Sequence, residues 1–169
     1  MKEISIYYNF MSEDEKNYIK SLIDDKHKWV WRTKFDELNE KGQKLWYDSI
    51  FPEYDKLGEY HKKITDNGKF TVAETALNII QKDRQTMGDD YHIDAGNLSY
   101  CTYFNDDFTG GRFFYINNLG QECIIEPKPN LTIKINPGIK HRVENVYDGI
   151  RYSLYTFLKY PDKNKKSLL

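Results

Sequence analysis

Four histidines are spread through the 169 residues, and two of them stand where they could hold a metal. In His92-Ile93-Asp94 an imidazole and a carboxylate occupy positions i and i+2. On an extended strand those side chains project to the same face, so both can reach one ion. His141 comes after the Pro137-Gly138 turn and opens another β-rich run. Two imidazoles and one carboxylate on one side of an ion form a facial triad that leaves three positions open. Nitrogen and oxygen donors without a thiolate suit Fe(II) there better than structural zinc. Either motif alone is equally what a structural histidine looks like. The residues beyond His141 discriminate between the two.

Arg151 lies ten residues beyond His141, in Gly149-Ile150-Arg151-Tyr152-Ser153. Strands pairing across the Asp148-Gly149 turn would set Arg151 deeper than His141 in a barrel. A guanidinium there can grip a carboxylate through two charge-assisted bonds. Ser153 shares its face by alternation and could add a hydroxyl donor. The alternative, a surface charge, fits poorly with the aromatic neighbours Tyr152, Tyr155 and Phe157.

These residues need strands to hold them. From Phe70 onward eight short β-rich runs are predicted: 72–81, 91–94, 99–104, 112–116, 122–126, 131–135, 141–146 and 150–158. Turn residues separate them, including Gly88, Gly96-Asn97, Asn117-Asn118, Pro137-Gly138 and Asp148-Gly149. Eight strands without an intervening helix predict an α+β chain with a double-sheet jelly roll, or double-stranded β-helix, as its core. Before Phe70 helical signals dominate. Ser12 with Glu15 is a capping box, and Tyr18, Ile19, Leu22 and Ile23 give helical spacing over 13–24. Trp29 to Trp31 suggests a short strand. A second helical stretch is predicted over 34–65, broken or restarted at Pro52 and closed by an Asn67-Gly68 turn. The helices are expected to pack on one outer face of the sheets. The whole reads as one domain: helical support over 1–69, a jelly-roll core over 70–160 and a basic tail over 161–169.

Composition narrows the partners. Lys plus Arg (25) balances Asp plus Glu (26), so no basic footprint for phosphates exists and nucleic acid is not expected. No apolar run approaches the roughly 20 residues of a membrane span. The opening MKEISIYYNF has no signal-peptide pattern. Cys101 and Cys123 make no disulfide framework, and free thiols in a reducing, cytoplasmic setting are expected. His27 and His61 sit among lysines and read as surface side chains.

The stretch from Tyr91 to Leu158, about 70 residues, resembles the catalytic domain of the prolyl 4-hydroxylase-like 2-oxoglutarate/Fe(II) dioxygenases. The linked motifs are His92-Ile93-Asp94, Tyr103-Phe104-Asn105, Phe108-Thr109-Gly110-Gly111, His141-Arg142-Val143 and Arg151-Tyr152-Ser153-Leu154. Asn9-Phe10-Met11-Ser12 also resembles the family's opening. The resemblance implies that His92, Asp94 and His141 ligate Fe(II) and that Arg151 clamps the distal carboxylate of 2-oxoglutarate. It implies Tyr103 as a hydroxyl donor to that carboxylate; a core tyrosine is the competing reading. Cys101 shares Tyr103's strand face and could line the same pocket. The family's tyrosine before the first ligand is missing from Gln81-Lys82-Asp83-Arg84. Its Gly-Gly-Glu-Leu turn reads Gly110-Gly111-Arg112-Phe113, with Arg112 either facing a substrate groove or solvated. The implied activity is an oxidoreductase hydroxylating a C–H bond, with a prolyl residue of a protein or peptide as the leading substrate and ascorbate as an accessory. A free amino acid or other small molecule is the alternative substrate, and a non-catalytic metal-binding jelly roll the alternative class.

Overall fold

A computed structural model of the chain describes residues 4–38, 44–66, 68–82, 90–94 and 98–161. Its elements in chain order are β1 (Ile4–Tyr8), α1 (Glu13–Asp24), β2 (Val30–Leu38), β3 (Lys44–Ile50), α2 (Gly58–Ile64), β4 (Thr71–Gln81) and β5 (Leu98–Tyr103). They continue with β6 (Thr109–Gly110), β7 (Phe113–Ile116), β8 (Glu122–Ile125), β9 (Leu131–Ile135), β10 (His141–Val143), β11 (Val146–Asp148) and β12 (Ile150–Lys159).

Strand β12 shows why two layers form on each other. Arg151 and Ser153 are buried on one of its faces, Leu154, Thr156 and Leu158 on the other. A strand covered on both sides must lie at the centre of a sheet packed above and below. It pairs with β4 and β5 in a seven-stranded antiparallel sheet of order β1-β9-β5-β12-β4-β3-β2. Leu154 and Leu158 join Leu77, Ile79, Leu98 and Tyr100 on the outer face, where Ile19 and Leu22 of α1 and Tyr60 and Ile64 of α2 cover them. On the inner face, Tyr103, Leu131, Ile133 and Ile135 meet Phe113 and Ile125 of a second sheet, β10-β7-β8. Strands β11 and β6 add a two-stranded ribbon. Two facing sheets with helices on one outer side make the double-stranded β-helix that the strand count predicts.

Helix α1 starts where its signals say. Glu15 N donates to Ser12 Oγ at 3.3 Å while Ser12 N donates to Glu15 Oε2 at 3.0 Å. The buried Glu15 carboxylate then accepts from Tyr60 N at 2.6 Å, tying α1 to the start of α2.

Several expectations are corrected. The helix predicted over 34–65 is instead the hairpin β2–β3, a 3-10 turn and the short α2. The spacing of Leu38, Leu45, Trp46 and Ile50 fits extended chain as well as helix, and pairing of β3 onto the edge of β4 decides between them. Pro52 lies between β3 and α2, where a chain break costs no ladder bond. The N-terminal run 4–8, not predicted as a strand, adds an edge to β9. The strand predicted over 91–94 is reduced to one bridge between His92 and His141. The run 141–146 divides into β10 and β11. His61 is buried rather than exposed: its ring stacks on Tyr54 at 4.2 Å and its Nε2 meets Thr75 Oγ1 at 3.1 Å. The turns at Gly88 and Gly96-Asn97, Asn67, and the tail beyond Pro161 lie outside the described residues. Among the described residues no helix is long and apolar enough to cross a membrane.

Candidate metal centre

The bridge between His92 and His141 sets up the site. Each donates its backbone N–H to the other's carbonyl at 2.9 Å, so the two side chains stand side by side on the inner face. Their ring centroids are 4.4 Å apart. His92 Nδ1 lies 3.4 Å from Asp90 O, and His141 Nδ1 lies 3.1 Å from Ile139 O. A carbonyl only accepts, so each Nδ1 carries the proton and each Nε2 lone pair is left for the centre. Asp94 Oδ1 lies 3.7 Å from His92 Nε2 and 3.6 Å from His141 Nε2. The three ligand atoms fall within 4.8 Å of one another, a spacing that one ion between them can span. Phe113 stacks on the His141 ring at 5.3 Å and fixes its plane.

Arg151, Ser153 and Cys101 line the same cavity, of about 150 Å3, with His92, Asp94 and His141, whereas Tyr103 is not among its lining residues. A cavity of about that size holds a benzene molecule. Arg151 is 4% exposed, which removes the surface-charge reading. It reaches the inner face by pairing β12 with β4 and β5, not by a hairpin across Asp148-Gly149; β10 pairs instead with β7. Its Nη1 donates to Gly111 O at 3.2 Å, while its buried Nε has no partner. Tyr103, fully buried, sits directly across the ladder from Ser153, and its hydroxyl also lacks a partner. Leaving such donors unpaired costs about 1–3 kcal/mol each. Burial holds the Tyr103 phenol well above its ordinary range and pushes the Cys101 thiol up, with the Arg151 charge opposing the latter shift. Both groups are therefore neutral, and Tyr103 is a donor. With Nη1 held by Gly111 O, the free Arg151 Nε leaves a guanidinium donor that fits an incoming carboxylate.

Arg112, read from sequence as groove-facing or solvated, is 39% exposed at the side chain and forked onto Glu144 at 2.6 and 2.7 Å. Both cysteines are free and half-buried. Two residues of the site escaped the sequence reading. Ser99 donates to Asp94, and Asn78 lines the cavity with its Oδ1 buried and unpartnered. A lone amide inside the apolar run Leu77-Ile80 was a signal for Asn78; Ser99 carried none.

No family model and no curated sequence matches the chain. Solved structures do. A Pseudomonas putida prolyl-4-hydroxylase superposes with a TM-score of 0.71 at 13% identity, covering 96% of this chain and 95% of the other. A 2OG-Fe(II) oxygenase family oxidoreductase from Burkholderia pseudomallei gives 0.68 at 15%, covering 92% and 84%. A non-haem alpha-ketoglutarate-dependent carbocyclase from nogalamycin biosynthesis gives 0.66 at 11%, covering 95% and 81%. The chain has the fold of the 2-oxoglutarate/Fe(II) oxygenases.

Proposed function

We propose that this protein is a 2-oxoglutarate- and Fe(II)-dependent dioxygenase. The observation that carries the reading is the meeting, in one cavity, of the His92, Asp94 and His141 donor atoms with Ser153 and with Arg151, whose buried Nε has no partner. His92 Nε2, His141 Nε2 and an Asp94 oxygen hold the metal, and Arg151 with Tyr103 and Ser153 holds the far carboxylate of the cosubstrate. Fe(II) bound there supplies a place where O2 and the cosubstrate are brought together, so that release of succinate and CO2 is coupled to hydroxylation of a C–H bond.

The chain's own residues supply position and dryness. The Nδ1 bonds of both histidines keep the Nε2 atoms turned inward. Arg151 fixes one end of a dicarboxylate and so presents the other end to the metal. Phe113, Ile135, Val143 and Phe157 line the rest of the cavity with apolar surface, which limits water near the reacting centre.

For the substrate, a prolyl residue in a protein or peptide is the leading reading, supported by the motif resemblance and by the fold shared with a prolyl-4-hydroxylase. A free amino acid or other small molecule is the second, supported by the same fold in a carbocyclase. Ascorbate as an accessory reductant and a cytoplasmic setting belong to the same reading.

The test is succinate release by purified protein with Fe(II), 2-oxoglutarate and O2, with and without a proline-rich peptide. Release stimulated by the peptide supports prolyl hydroxylation. Release indifferent to it points to a small substrate, and no release from iron-loaded protein would leave a metal-binding jelly roll without oxygenase activity.

A further inference from the structure

The face of the small sheet opposite the metal carries a second row of side chains in the same register. Because His92 and His141 are bridged and point inward, Tyr91 and Arg142 stand opposite one another and point outward. Arg142 is in turn paired with Phe114 of β7. Its guanidinium lies 3.8 Å from the Phe114 ring centroid and 5.4 Å from that of Tyr91, so one cation is sandwiched between two rings. The side chain is only 16% exposed, which strengthens such contacts by removing competing water. Glu122 of β8 closes the row. It accepts the Tyr91 hydroxyl and lies 3.6 Å from Arg142 Nη2. Lys140, on the other side of His141, adds a second cation 5.7 Å from the Tyr91 ring.

The inner pair and the outer pair therefore share one two-residue bridge. His92 belongs to no strand; its backbone is joined to the sheet by the two bonds to His141. Any shift of residues 91–92 along β10 would separate the ligand atoms and break the outer sandwich together. We propose that Arg142 is a positioning residue which, through Tyr91, fixes His92 against His141 and so sets the affinity of the site for its metal. This role rests on His92, Asp94 and His141 holding a metal, and extends that reading to residues that touch neither metal nor cosubstrate.

The test is calorimetric titration of the full chain with Mn(II), under conditions where it cannot oxidise, for wild type, Arg142→Met, Arg142→Lys, Tyr91→Leu and the double variant Tyr91→Leu/Arg142→Met. Methionine keeps an unbranched apolar stem and removes the charge. Arg142→Met and Tyr91→Leu should each weaken Mn(II) binding about tenfold, in the range known for residues that orient ligands. The double variant should lose no more than either alone, since both act through one contact. Arg142→Lys, which keeps a cation between the rings, should restore most of the affinity. Additive losses in the double variant, or unchanged Mn(II) affinity in Arg142→Met, would overturn the proposal while leaving the metal site standing. A wild type that binds no Mn(II) would remove the metal reading itself.

Discussion

Ser99 donates its hydroxyl to Asp94 Oδ2 at 2.5 Å, and the other oxygen, Oδ1, is the one that faces both imidazoles. One strand residue thereby decides which carboxylate oxygen is presented to the centre. Ser99 lies at the start of β5, so the first sheet orients the carboxylate while the second sheet orients His141.

Removing that hydroxyl should free the carboxylate to rotate. Ser99→Ala is expected to weaken metal binding by about 10–100-fold, as loss of an orienting partner usually does. Mn(II) titration with a parallel melting curve separates this from unfolding. Affinity equal to wild type would show that Asp94 is held by other contacts.

The two adjacent glycines should respond differently to alanine. A Cβ on Gly110 would lie 2.1 Å from the Asn145 carbonyl oxygen, and at φ +79 the backbone is unfavourable for any side chain. Gly110→Ala should therefore lower stability on the order of 3 kcal/mol. At Gly111, with φ +66, the new methyl would meet the Phe108 ring at 2.8 Å and Arg151 Cδ at 3.2 Å. Gly111→Ala should displace the guanidinium and weaken 2-oxoglutarate binding beyond its effect on stability. Urea unfolding and cosubstrate titration on both variants distinguish fold from site.

Burial pushes the Cys101 thiol above its ordinary 9.0, which keeps it protonated at pH 8. Iodoacetamide at that pH should modify Cys123 and spare Cys101 in the folded chain. Peptide mass analysis reads the two sites separately. Equal labelling would mean that the cavity admits the reagent and that Arg151 outweighs burial.

His61 should make stability depend on acid. Burial lowers its pKa below the ordinary 6.5, so the unfolded chain takes up the proton first. The stabilisation is fully present above 6.5 and is lost as pH falls through the folded value. The urea midpoint should drop between pH 7 and pH 5, and the drop should be smaller in His61→Gln. An equally steep drop in the variant would assign the effect to other groups.

What the sequence makes legible divides along the range of the forces involved. Helix α1 is legible because Ser12 and Glu15 cap it locally and its apolar stripe repeats within twelve residues. The hairpin β2–β3 is not, because β3 is held by pairing onto β4, a contact no local pattern encodes, and β2 by pairing onto β3. At the site, donor type and spacing pick out His92, Asp94 and His141. Arg151 lines one cavity with the two histidines, but through pairing with β4 and β5 and not across Asp148-Gly149, since strand alternation gives the face of a residue but not its neighbours. Tyr91 and Arg142 look like ordinary polar surface. Their relation emerges only when the His92–His141 bridge sets the register.

The central claim, a metal and a dicarboxylate held together in one cavity, is tested most directly by titrating 2-oxoglutarate into the Mn(II)-loaded chain. The proteins compared are wild type, Asp94→Ala and Arg151→Leu. One molecule should bind per wild-type chain only when metal is present. Asp94→Ala should lose both metal and cosubstrate, whereas Arg151→Leu should retain metal and lose the cosubstrate. Cosubstrate binding of equal strength in all three proteins, or none in metal-loaded wild type, would contradict the claim.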